Sequence, residues 1–182
     1  MQRRFFLVSL LVLVLAAPTF LLARPITYRV EPTYAHVSFT VTKWVVFKEE
    51  GSFKDVDGMI TFDPENPSAS RVEIIIKAAS IDTNNRYRDE TLRSEDFFAA
   101  DRFPTLRFVS AGVMSRGGDH FEVTGDLTIR DVTRRITVPV KLLGITREPK
   151  IGELAGFEST FTINRKDFGV LGARWSSGRD HR

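Results

Sequence analysis

The stretch HFEVTGDLTIR, residues 120–130, sets Phe121, Val123, Gly125, Leu127 and Ile129 against His120, Glu122, Thr124, Asp126, Thr128 and Arg130 in unbroken alternation. A period of two is the pattern of a strand with one dry and one wet face. The pattern returns immediately: Ile136, Val138, Val140 and Leu142 alternate with Arg135, Thr137, Pro139 and Lys141. It returns again in 155–164, where Ala155, Phe157, Ser159, Phe161 and Ile163 share one parity. Three such strands in succession predict an antiparallel sheet with meander connections, because parallel strands need crossovers and are dry on both faces.

Upstream, 26–31 reads as a first strand closed by Pro32, and 34–43 as a second with Val37, Phe39 and Val41 on its dry side. Lys48 to Gly51 reads as a turn. In 53–62 the parity slips, since Phe53 and Met59 fall on one side and Val56, Ile60 and Phe62 on the other; this predicts a β-bulge at Gly58. Asp63 to Pro67 is a loop by composition, and 71–79 places Val72, Ile74 and Ile76 on one face. The period then changes once, in 80–108. Arg86, Arg88, Asp89, Glu90 and Arg93 suit a short helix, capped by Asp82, Thr83 or Asn84, with Asp89 and Arg93 four apart. Leu92, Phe97, Phe98 and Phe103 must press so short a helix onto something larger, and Phe103-Pro104 ends it. The helix reads either as a surface connection or as a cap over the open end of a barrel.

One short helix does not cover the apolar face of so many strands, so either two sheets pack together or one sheet curls into a barrel. The 15 phenylalanines and the expected bulge favour the barrel. At 182 residues the chain has room for one domain. Residues 1–23 carry the layout of a secretory signal peptide: a basic start at Arg3 and Arg4, an apolar run from Phe5, and small residues near Ala16, Ala17 and Ala23. The rival reading is an uncleaved anchor, and Pro18 within the run favours cleavage. The domain is expected over 24–170, with a polar tail at 171–182, and the location is periplasmic or secreted. The absence of cysteine leaves neither a disulfide framework nor a lipid-bearing thiol. The formal charge of +3 includes Arg3 and Arg4 of the leader, so the mature chain is close to neutral and nucleic-acid binding finds no support.

Catalytic and metal chemistry find little footing. His36, His120 and His181 are scattered without ligand neighbours, so no metal is expected. Asp82, Asp89, Glu90, Glu95 and Asp96 cluster by the helix, where a buried pair could do acid and base work, but carboxylates interleaved with arginines are mostly solvated ion pairs. Asp167-Phe168-Gly169 spells a kinase triplet without the other kinase parts. No enzyme and no cofactor are expected. The inward rings Phe39, Phe62, Phe108, Phe157 and Phe161 make either a solid core or a lined cavity.

Several segments in one order carry a family resemblance: Ser80-Ile81-Asp82-Thr83-Asn84, Arg88-Asp89-Glu90, Leu92-Arg93-Ser94, Asp96-Phe97-Phe98 and Phe103-Pro104-Thr105. So do Thr61 to Pro67, Thr124 to Ile129 with Val132-Thr133, and Ile163 to Gly169. Together they resemble the YceI-like, polyisoprenoid-binding family. The resemblance implies a lipocalin-like antiparallel β-barrel, exported in bacteria, whose elongated interior accommodates an isoprenoid or quinone-like amphiphile without covalent chemistry. The chain departs from that pattern at its end, where 171–182 lacks the alternating aliphatics of a closing strand. An unpaired first strand leaves room for a partner strand from a second copy, a homodimer, and a lipid carrier implies transient contact with a membrane surface. The expected ligand-binding residues are Phe39, Phe62, Ile74, Phe97, Phe108, Phe157 and Phe161 for the chain, with Arg86, Arg88 or Arg93 for its polar end. The alternative is a cell-envelope structural or stress-response protein with a filled interior.

Overall fold

The structure, a computed structural model, describes residues 25–43, 47–150 and 152–172. The stretch expected to be a signal peptide, residues 44–46 and nearly all of the polar tail lie outside the described residues. The chain forms β1 (Ile26–Arg29), β2 (Val37–Lys43), β3 (Phe47–Phe53), β4 (Val56–Phe62), β5 (Arg71–Lys77) and β6 (Ile81–Asp82). There follow α1 (Arg86–Arg93), β7 (Thr105–Gly117), β8 (His120–Ile129), β9 (Val132–Glu148) and β10 (Gly152–Glu158). Single 3-10 turns occupy Pro67–Ala69, Ala78–Ser80 and Arg165–Phe168. Among the described residues no helix is long and apolar enough to cross a membrane.

Seven strands form one antiparallel sheet in the order β1-β4-β5-β7-β8-β9-β10, and β2-β3-β6 form a small second sheet. In β8 the alternation read from the sequence is the burial observed: Phe121, Val123, Gly125, Leu127 and Ile129 are buried and their neighbours are not. The wet face is stitched by cross-strand pairs, Thr124 with Thr137, Thr128 with Thr133, and Arg135 forked onto Asp126. The sheet curls until its two ends meet. Tyr28 of β1 donates a 2.6 Å hydrogen bond to Glu153 of β10, and Phe157 of β10 packs edge-on against Phe62 of β4 with centroids 5.4 Å apart. No ladder joins β1 to β10 among the described residues, so the barrel is nearly closed with an unsealed seam. The tail expected to lack a closing strand lies, beyond residue 172, outside the described residues.

Five local expectations are corrected. Gly58 pairs with Ile74 in continuous register, so there is no bulge. The parity slip lies at Lys54-Asp55 between β3 and β4, and Met59 simply faces solvent. The breaks in register are at Ser110/Gly112 and Ser115/Gly117 on β7, and at Gly156/Phe157 on β10. Lys48 to Gly51 is strand, because Gly51 lies beneath the ring of Phe39 on the facing strand. The third long strand stops at Glu158, leaving Phe161 47% exposed beyond its end. The helix cap is Asn85, whose side chain accepts from the Arg88 N–H. Asp82 instead turns the chain before the helix by accepting from Asn84, which sits at φ 56°. Asp89 and Arg93 do not pair: Asp89 turns inward to Thr83, and the helix-face ion pair is Arg86 with Glu90.

Two apolar clusters occupy the inside. One lies under the small sheet and α1 and holds Phe53, Ala78, Ile81, Ala100, Leu106, Leu127, Ile129, Phe168 and Val170. Leu92, Phe97 and Phe98 press onto it, as the short helix requires. The other holds Phe62, Val113, Phe121, Val123 and Val138. Phe108 and Ile136 touch both clusters, and Ile74, at the waist between them, belongs to neither.

Candidate functional site

The waist is built from bare backbone. Ile74 of β5 lies between Gly58 of β4 and Phe108 of β7, and Gly125 of β8 pairs with Ile136 of β9. A β-carbon on Gly58 would overlap the Glu73 carbonyl, and one on Gly125 would come within 2.5 Å of the Phe108 ring and the Val109 carbonyl. Both glycines face inward, so the sheet coils tightly and contributes no side chain at these two points.

The surrounding side chains are not sealed. Val72, Ile74 and Ile76 lie on a strand paired on both edges, yet they are only half-buried, in the same range as Glu73 and Ile75 on the outer face. Phe108, Ile136, Val140, Leu142 and Phe157 are half-buried as well. In a filled core such residues lose nearly all contact with solvent. Val72, Ile76, Phe108 and Ile136 pack against the clusters with part of their surface still accessible, and Ile74 packs against neither.

A groove of about 370 Å³ opens beside this interior, between the first half of β9 and the segment leading into Arg165–Phe168. Its lining includes Arg134, Ile136, Ile163, Asp167 and Phe168. The groove exists because β9 is shared. Its residues 132–141 pair with β8 and 141–148 with β10, so each half has one paired neighbour. Small-molecule sites occupy roughly 300–1,000 Å³, and the groove falls in that range.

The residues expected at the site are distributed as follows. Ile74 and Phe108 are at the waist, and Phe62 and Phe157 stack behind the seam, with Phe121 edge-on to Phe62 at 5.4 Å. Phe39 and Phe97 belong to the capped end, Phe39 against Phe53 at 5.7 Å and Phe97 beneath the Arg165 guanidinium. Phe161 is outside. The three arginines of the helix are engaged locally: Arg86 with Glu90, Arg88 with Glu49 and Thr83, and Arg93 with the carbonyls of Ala79 and Ile81. Arg88 and Arg93 fasten α1 to β3 and β6, and the Arg86 pair stays within the helix. Four of the five carboxylates weighed for acid–base work, all but Asp96, are likewise occupied. Asp89 accepts twice from Thr83, Glu95 pairs with Arg102, and Asp82 is held below the usual carboxylate range by the Asn84 N–H and then by Lys54. Among the described residues no group of three or more His, Asp or Glu is placed to hold a metal ion.

Arg134, Ile136, Gly58, Gly125 and Tyr28 were missed as site residues. Arg134 had a signal: stepping back from Ile136 along the dry parity of β9 meets an arginine where an aliphatic is due. Tyr28 had none, because its partner is 125 residues away. Its hydroxyl is pushed up to about 12 by burial first and then by the Glu153 carboxylate that accepts its proton.

Compared with known proteins, the chain matches the profile of the YceI-like domain over residues 28–180. Protein YceI of Escherichia coli O157:H7 is 40% identical over 140 residues, 77% of this chain and 73% of that protein. Among solved structures, BcnA of Burkholderia cenocepacia is similar with a TM-score of 0.73 and 28% identity, covering 81% of this chain and 89% of that one. The YCEI protein of Campylobacter jejuni gives 0.65 and 28%, covering 79% and 84%.

Proposed function

The chain belongs to the YceI-like family, and from that premise we propose that it is an exported carrier that encloses a long-chain isoprenoid, quinone-like or related amphiphilic lipid inside its barrel. The observation that carries the reading is the half-buried inner face of β5, Val72, Ile74 and Ile76, on a strand flanked by neighbours on both sides. An apolar chain laid along that face gains about 0.8 kcal/mol per methylene relative to water. A bilayer offers nearly the same, so the protein's contribution is to move the chain between apolar environments and to select it by length and head group. Binding of this kind needs no nucleophile or metal.

The basic and apolar leader of residues 1–23 supports export, and with it a periplasmic or secreted carrier. Organic-solvent extraction of the purified protein, followed by mass spectrometry of the extract, tests the reading. A long-chain lipid recovered in proportion to protein supports it. An empty extract, with no uptake of added isoprenoid, overturns it and favours an envelope protein with a filled interior.

A further inference from the structure

Arg134 stands on the inward parity of β9, directly across the ladder from buried Leu127 and two residues before Ile136. Its neighbour Arg135 is fully engaged, forked onto Asp126 at 2.6 and 2.8 Å. Arg134 gives only a long Nε hydrogen bond, 3.3 Å, to the Asp167 carbonyl, and among the described residues no carboxylate lies within ion-pair distance of it. The Asp167 carboxylate also borders the groove, where it accepts from Asn164 of its own turn.

A second feature lies along the same edge of β9. Ser159 donates to the Pro139 carbonyl at 2.6 Å, from the side away from β8. Leu142 donates in the opposite direction, to Asp119 beside β8. The backbone groups of odd-numbered residues in this half of β9 therefore point to the open edge, and those of Arg135 and Thr137 have no strand to pair with among the described residues. Arg134 and the unladdered backbone of Arg135 thus flank a floor of Ile136 and Phe168. That floor leads through Ile136 to Gly125, Phe108 and Ile74.

We propose that this groove seats the head of the bound amphiphile and that the head is anionic, a carboxylate or phosphate held by Arg134, with the chain running past Ile136 to the waist. Hydrogen bonds from a guanidinium to an anion are about twice as strong as neutral ones, so an acid should be preferred over the matching alcohol. The proposal rests on the carrier reading and adds to it the location and charge of the head.

Retinoic acid and retinol, one chain ending in a carboxylate or an alcohol, are titrated against the full chain by quenching of intrinsic fluorescence. The expected result is acid binding at least tenfold tighter than alcohol, a ratio near one in Arg134→Gln, recovery of most of it in Arg134→Lys, and no change in Arg86→Gln. Wild-type protein that binds both probes equally, or an Arg134→Gln variant that keeps the preference, overturns the head-group site while leaving the carrier reading intact. Failure of the wild type to bind either probe overturns both. Acetate that displaces retinoic acid at equal concentration marks a site for free anions and overturns the lipid assignment.

Discussion

Replacing Ile74 by phenylalanine adds bulk at an inward aliphatic position that belongs to neither core cluster. Overpacking a filled core costs about 1–3 kcal/mol, because a larger side chain must leave its rotamer or displace backbone. The two adjacent strands present Gly58 and Phe108 here, and the side chain is half-buried. The added ring can therefore extend into space, and the expected loss is below about 1 kcal/mol. Val123, 3% exposed inside the second cluster, is the control, and Val123→Phe should show the full loss. Urea unfolding of both variants, with slopes checked against the wild type so that midpoints report stability, provides the comparison. The ring should also occupy the lipid's path, so Ile74→Phe should yield less co-extracted lipid while remaining folded. Equal destabilisation of the two variants would refute the reasoning, since it would mean that the waist is as full as the cluster.

Gly125→Ala should destabilise by about 2 kcal/mol or more, since the new methyl meets the Val109 carbonyl as well as the Phe108 ring. Adding Phe108→Ala should relieve only the ring's share, and thermal melts of the single and double variants read the difference. Tyr28→Phe should alter the alkaline limb of stability. The folded-state pKa of Tyr28 is raised to about 12, so the unfolded chain loses that proton first. The contribution is complete below pH 10 and is lost as pH rises through about 12. Denaturation midpoints measured from pH 8 to 12 should fall less steeply for the phenylalanine variant, and identical slopes would count against the bond to Glu153.

The strands were legible wherever one face is wet and the other dry. In β8 the wet side chains pair across the sheet and the dry ones meet the cores, so nothing competes with the period of two. The reading failed where parity outlived pairing. Phe161 and Ile163 continue the apolar register of β10, but the chain there lies beside the half of β9 that pairs only with β8, and both side chains stay exposed. Near Gly58 the parity slip of a corner between two strands has the same sequence pattern as a bulge within one. The helix arginines attracted attention by number and position, whereas their charges are consumed by Glu90, Glu49 and main-chain carbonyls. Arg134 was less conspicuous on a basic stretch. Its candidacy rests on the lack of an ion-pair partner among the described residues, which is a property of the fold.

The most direct measurement is diffraction from a crystal of the delipidated protein under xenon, an atom that enters empty apolar cavities and is excluded from packed ones. Xenon density among Ile74, Phe108 and Ile136 is the predicted result. A waist with no xenon, in which these three side chains close on one another, would contradict the account.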